Sequence, residues 1–203
     1  MNTKGFELSA TIIVLLVISV IIFAGGIIIV KKFFSSAEEI KGEIERSTQE
    51  QIESLLREGG LVAIPLNTKT VARGKGGIFG LGVRNIGSEG EFWVAVKFYK
   101  AFLPDQKTPI SVDEDYINEH WLLYSEEPFS LAPNKYRMIP IAFSVGNSVD
   151  AFGTLTTPGT YMFNVCVFKG QPDECNLDAF SVTGFPDNLY SKKVYQISVN
   201  VPA

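Results

Sequence analysis

In the stretch Phe92-Trp93-Val94-Ala95-Val96-Lys97-Phe98 the alternation of residues approaches period two. Phe92, Val94, Val96 and Phe98 fall on one side of a period-two ribbon, and Trp93, Ala95 and Lys97 fall on the other. A half-buried β-strand requires this pattern. Val194-Tyr195-Gln196-Ile197-Ser198-Val199-Asn200 approaches the same alternation near the end of the chain.

Working outward from these two segments, short apolar runs broken by Gly, Pro, Asn and Asp occupy residues 61–203. They predict strands over 61–66, 78–83, 91–99, 136–145, 160–168 and 192–201. Weaker strand signals lie at 68–72, 121–124 and 180–183. No segment of this half predicts a helix, so the expectation is an antiparallel β-sandwich. A chain of 203 residues with 15 Phe and 7 Tyr suits such a β-rich core. Pro158-Gly159-Thr160-Tyr161 resembles the turn-Gly-x-Tyr of immunoglobulin-like domains, which implies a tyrosine corner at Tyr161. Gly82-Val83-Arg84-Asn85-Ile86-Gly87 resembles strand-turn segments of prokaryotic surface Ig-like domains. Both are scaffold features and imply no activity.

Cys166 and Cys175 flank a Gly- and Pro-containing turn, and a strand that returns after it would bring them within bridging distance. A disulfide is the expected state, with two free thiols as the other. A bridge would place this half of the chain outside the cytoplasm.

Little else carries chemistry. His120 is the single histidine, so no His dyad, triad or zinc cluster is expected, and it reads as a packing or surface residue. Arg73-Gly74-Lys75-Gly76-Gly77 lacks the spacing of a phosphate loop and reads as a hairpin turn. Asp113, Glu114, Asp115 and Glu119 lack the spacing and glycine of a calcium loop and read as a solvated loop. The net charge of −4 argues against a nucleic-acid surface. The reading is a non-enzyme without cofactor or metal.

The front of the chain differs in texture. Residues 8–30 carry no charge, and 16 of the 23 are Leu, Ile, Val or Phe. As a helix this run reaches roughly 35 Å, enough to cross a bilayer core. It is followed by a polar run in which Ile40, Ile44, Ile52, Leu55 and Leu56 mark one apolar stripe, with Glu53 and Arg57 spaced for an ion pair. Gly59-Gly60 closes this helix. Ser36 with Glu39, or equally Ser47 with Glu50, matches a capping box.

Met1-Asn2-Thr3-Lys4-Gly5-Phe6-Glu7-Leu8, running into the apolar segment, resembles the class III signal peptide of type IV pilins, with archaeal pilin-like proteins the nearer match. The resemblance covers about 30 residues and implies cleavage by a prepilin peptidase between Gly5 and Phe6, with Lys4 ahead of the cut. Glu7 becomes the second mature residue, whereas bacterial pilins carry their glutamate at the fifth. Glu7 and the small residues Ala24, Gly25 and Gly26 are then the helix-assembly positions. The family also builds its first helix as a hydrophobic half followed by an amphipathic half that packs on a globular head. A juxtamembrane stalk or short coiled coil fits the same five stripe positions.

The expected architecture is therefore α+β: a leader at 1–5, a transmembrane and amphipathic helix at 6–60, and an extracytoplasmic, antiparallel Ig-like β-sandwich at 61–203. The expected protein is a single-pass, membrane-anchored, pilin-like surface or filament subunit. Its partners would be the membrane, the prepilin peptidase, and copies of itself or envelope proteins, with no nucleic acid. The rival expectation is a tethered Ig-like module, stator-like or envelope-binding, that does not polymerise.

Overall fold

The computed structural model describes residues 45–203. Helix α1 (Arg46–Arg57) comes first, followed by strands β1 (Val62–Ala63), β2 (Thr68–Thr70), β3 (Gly76–Arg84) and β4 (Gly90–Phe102). Helix α2 (Glu114–Trp121) leads into β5 (Leu122–Leu123), β6 (Phe129–Leu131), β7 (Tyr136–Ser144) and β8 (Gly159–Lys169). Helix α3 (Leu177–Thr183) then precedes β9 (Tyr195–Val201).

The strands form two sheets, β1-β3-β7-β5 and β2-β9-β8-β4-β6. The first reproduces the A-B-E-D order of an immunoglobulin-type sandwich, and β9-β8-β4 reproduces G-F-C. The alternation in β4 holds: Phe92, Val94, Val96 and Phe98 point inward and are at most 6% exposed. They meet Tyr161, Phe163, Val165 and Val167 of β8 and Phe79, Leu81 and Val83 of β3 in one core. The pairing is antiparallel throughout, except that β2 runs parallel to β9. The fold is thus an Ig-like sandwich that is not purely antiparallel.

Tyr161 forms the expected corner. Its hydroxyl donates to the Thr157 carbonyl at 2.8 Å, four residues upstream, and its ring packs against Trp121. Burial pushes the phenol up to about 12, because the charged form would lose water that the pocket does not replace.

Three expectations are corrected. The weak strand at 180–183 is instead part of α3. Asn176 caps that helix by accepting from the Ala179 amide at 3.0 Å, and Gly184, at φ 83°, ends it. The acidic cluster at 113–115 is no solvated loop but the start of α2. The Asp113 carboxylate accepts from the Tyr116 amide at 3.1 Å, while Glu114 and Asp115 occupy the first turn, where the helix dipole favours negative charge. The turn at 71–75 joins strands of different sheets and is not a hairpin.

No helix among the described residues is long and apolar enough to cross a membrane. The expectations for Lys4, Gly5, Phe6, Glu7, the apolar run with Ala24, Gly25 and Gly26, and the stripe residues Ile40 and Ile44 fall outside the described residues. So does the Ser36–Glu39 capping box, and Ser47 lies inside α1 rather than at its cap.

Candidate interaction surfaces

A sandwich buries its inner faces by construction, so its outer faces and its two ends are left to meet partners. Both outer faces are covered by segments of this chain. On the first sheet, α1 lies along β3 with Thr48, Ile52 and Leu56 turned inward, the last two at 0% and 1% exposure. They pack on Ala63, Ile78 and Met138. Leu55, expected in the stripe, sits at its edge and is 41% exposed.

The approach of α1 depends on Gly82, whose missing side chain makes room for Ile52 and Leu56; a Cβ there would overlap Ile52 Cγ2 and lie 2.9 Å from Leu56 Cδ1. Arg84 reaches across to donate to the Leu56 carbonyl at 2.8 Å, satisfying one of the free acceptors at the helix end. Glu53 and Arg57 form the anticipated pair at 3.3 Å. Within the described residues, Ile52 and Leu56 of the expected stripe are therefore packed on the head rather than left on a free stalk.

On the second sheet, the outward residues Trp93, Ala95, Cys166 and Phe168 lie beneath the chain between β8 and β9, residues 170–194. Cys166 and Cys175 are bonded, with Cα atoms 5.6 Å apart. The bond pins this excursion to the middle of the sheet, and Phe180 and Leu189 complete a small second core. Polar ties surround it. Glu174 pairs with Lys97, which holds its carboxyl below the usual range, and Asp178 accepts from the Tyr99 hydroxyl at 3.1 Å. A shallow hollow of about 430 Å³ opens on the solvent side of the excursion, between Phe180, Phe185 and Asp187.

At the end where β3 turns into β4, Asn85 is fully buried. Its amide donates to the Ser88 and Leu131 carbonyls at 2.9 and 2.8 Å, and its Oδ1 accepts from the Gly87 amide at 3.0 Å. Lys169 adds a bond to the Ser88 carbonyl, and the Tyr190 hydroxyl bonds the Arg84 carbonyl, both at 2.8 Å. These groups satisfy one another, so the cluster locks the turn, and among the described residues no buried side-chain polar atom is left without a partner. In the sequence Asn85 stands only within a strand-turn pattern, and its Asn-x-Gly spacing is the one visible signal of this role.

At the opposite end, residues 145–158 join β7 to β8. Asp150 accepts from the Phe152 and Thr154 amides at 3.0 and 2.8 Å, which fixes the tip. Fixed there, Phe152 is 95% exposed and Leu155 67%. The loop is braced on α2, since Trp121 and Tyr116 bond the backbone and hydroxyl of Ser148.

The remaining sequence candidates are structural. His120 is exposed and stacks on Tyr116. The Gly74 and Lys75 amides donate to the Val145 and Ala72 carbonyls, so the turn they form is no anion cradle. Among the described residues no group of three or more His, Cys, Asp or Glu is placed to hold a metal ion.

No protein-family model matches the chain, and no curated protein matches it in sequence. Among solved structures, it is similar to the PapD-like domain 7 of human CEP192, at 12% identity and a TM-score of 0.39, over 70% of this chain and 87% of that one. The class 5 fimbriae chaperone CfaA aligns at 11% identity and 0.36, over 70% and 56%. A family 123 glycoside hydrolase from Clostridium perfringens aligns at 12% and 0.38, over 76% of this chain but 25% of the enzyme.

Proposed function

We propose that this chain is a non-catalytic, type IV pilin-like surface or filament subunit, anchored or assembled through its N-terminal apolar helix, with the Ig-like head outside the cytoplasm. The observation that carries this reading is the seat of α1. Its inward row, the apolar Ile52 and Leu56 with the buried Thr48, is built onto the head over Gly82, in the arrangement that the resemblance implies for the amphipathic half of a pilin helix. A free stalk or a coiled coil would present that row to another chain.

The front of the chain supplies the rest of the proposal. Cleavage between Gly5 and Phe6 removes the leader and leaves the 23-residue apolar run in place. In a filament, lipid contacts of that run are exchanged for contacts between copies, and Ala24, Gly25 and Gly26 permit close approach. Glu7, costly to bury alone, pairs with the new amino terminus of a neighbour. The bonded Cys166 and Cys175 suit an oxidising compartment, which supports an external head.

The test is the intact N-terminal mass of the protein from native membranes, followed by electron microscopy. A chain starting at Phe6 that appears in filaments supports the proposal. A chain starting at Met1, with no filaments, removes it and leaves a tethered binding module whose partner cross-linking would identify.

A further inference from the structure

The chain enters the head at a defined end. A groove of about 470 Å³ is lined by Glu45 and Thr48 at the start of α1 together with Thr70 of β2 and Gly76 of β3. Helix α1 therefore begins where β2 ends and β3 begins, and it finishes near Arg84, at the far end of β3. Because β3 and β7 are antiparallel, with Gly76 opposite Ser144, the loop 145–158 leaves from this same entry end. The turn carrying Arg73 and Lys75 is tied to the base of that loop through the Gly74 amide and the Val145 carbonyl.

The tip of this loop exposes a Phe and a Leu three residues apart, on a backbone held by the Asp150 carboxylate. Exposed apolar residues scattered singly need no explanation. Here a large aromatic ring is presented almost entirely to solvent by a turn whose amides are already satisfied, so its exposure is not a by-product of a loose loop. Only 14 residues, 31–44, separate Glu45 from the uncharged run 8–30. Such a tether spans at most about 50 Å fully extended, and about 21 Å as a helix. The entry end is thus confined near whatever holds that run, at an effective concentration that makes even a weak contact count.

We propose that Phe152 and Leu155 form an apolar foot that rests in the interfacial layer of the bilayer holding the apolar run, steadying the head against its own membrane. This rests on the reading that residues 8–30 cross a membrane. Aromatic and leucine side chains are suited to that layer. The charges around the foot are mixed: Arg73 and Lys75, on the turn tied to Val145, stand against Asp150 in the tip itself and Asp113, whose amide bonds the Val149 carbonyl. The contact is therefore apolar and does not demand anionic lipid.

The full chain, reconstituted in phosphatidylcholine vesicles with its native disulfide intact, provides the test. An environment-sensitive fluorophore is placed by A151C beside the foot, and by E89C at the opposite end of the sandwich. Lipids carrying a shallow spin label should quench the fluorophore at 151 several-fold more than the one at 89, and F152S with L155S should abolish the difference. Both residues are exposed, so the double variant keeps the fold. Equal, water-like signals at the two positions in vesicle-bound protein would overturn the foot while leaving the anchor standing. Protection at 151 that grows with protein density but resists lipid quenching would also overturn it, and would assign the foot to a second copy. Failure of the chain to float with vesicles would overturn both the foot and the anchor beneath it.

Discussion

The two outer faces of the sandwich are covered by the same chain through different physics. Over the first sheet, α1 is held by side-chain packing, with Ile52 and Leu56 set against Gly82 and one bond from Arg84. Over the second, α3 has seven residues and only Phe180 buried, too little apolar surface to hold itself, and the Cys166–Cys175 bond does the holding. Helix α1 buries Ile52 and Leu56 and adheres by packing, whereas α3 buries only Phe180 and its segment carries a covalent tie as well. Solvent chemistry should therefore discriminate between the layers, with redox conditions acting on one and not on the other.

The largest expected effect is on the packed layer. Ile52→Ala removes a side chain with no solvent exposure and should cost about 3 kcal/mol of stability in chemical denaturation, with α1 becoming the first site of proteolysis. A loss below about 1 kcal/mol would mean that the stripe is not seated, since truncation at exposed sites costs no more than that. Replacing both cysteines by Ala should cost roughly 2.5–3 kcal/mol, the loop-closure value for a separation of 9 residues, and should free residues 170–194 to proteolysis while sparing α1. Gly82→Ala, which forces Ile52 and Leu56 outward, should cost about 1–3 kcal/mol and loosen the same helix as Ile52→Ala.

Of these elements, β4 and α1 were legible in the sequence because each repeats its own period often enough to be counted. Ile52 and Leu56 stand one turn apart, and four inward positions at period two mark β4 from Phe92 to Phe98. The short helices were not legible. α2 carries two buried residues, Ile117 and Trp121, and its Asp113 cap looks like any acidic loop until the Tyr116 amide is seen to bond it. α3 buries a single residue, Phe180, and the β-prone Phe180, Val182 and Thr183 read as a strand; the Asn176 cap and the disulfide override that preference. Asn85 was visible only through its local Asn-x-Gly spacing, because its distant partners, Leu131 and Lys169, lie 46 and 84 residues away. The cysteine pairing was legible since two cysteines allow one bridge.

Smaller effects serve as controls in the shared core and at the surface. Tyr161, whose phenol lies near 12 in the folded chain against 10.0 when free, favours folding in its neutral form. That contribution is complete below pH 10 and is lost as pH rises through about 12. Ultraviolet titration should therefore show the Tyr161 phenol ionising late, with alkaline unfolding, beside Tyr124, which burial also shifts up, and Tyr161→Phe should shrink that late step by one phenol and leave both layers attached. Lys97→Ala should change stability by less than about 0.5 kcal/mol, because its pair with Glu174 is exposed. Its visible effect should be a rise of the Glu174 carboxyl toward the ordinary range, followed by NMR titration.

The most direct measurement is hydrogen exchange of the full-length chain with and without reductant, read separately for α1, β3 and residues 170–194. A helix built onto the head predicts that residues 48–57 are protected on the scale of β3 and keep that protection on reduction, while residues 170–194 lose theirs. Exchange of α1 at the rate of a free helix under both conditions would contradict the docked stripe, and with it the observation on which the pilin-like reading stands.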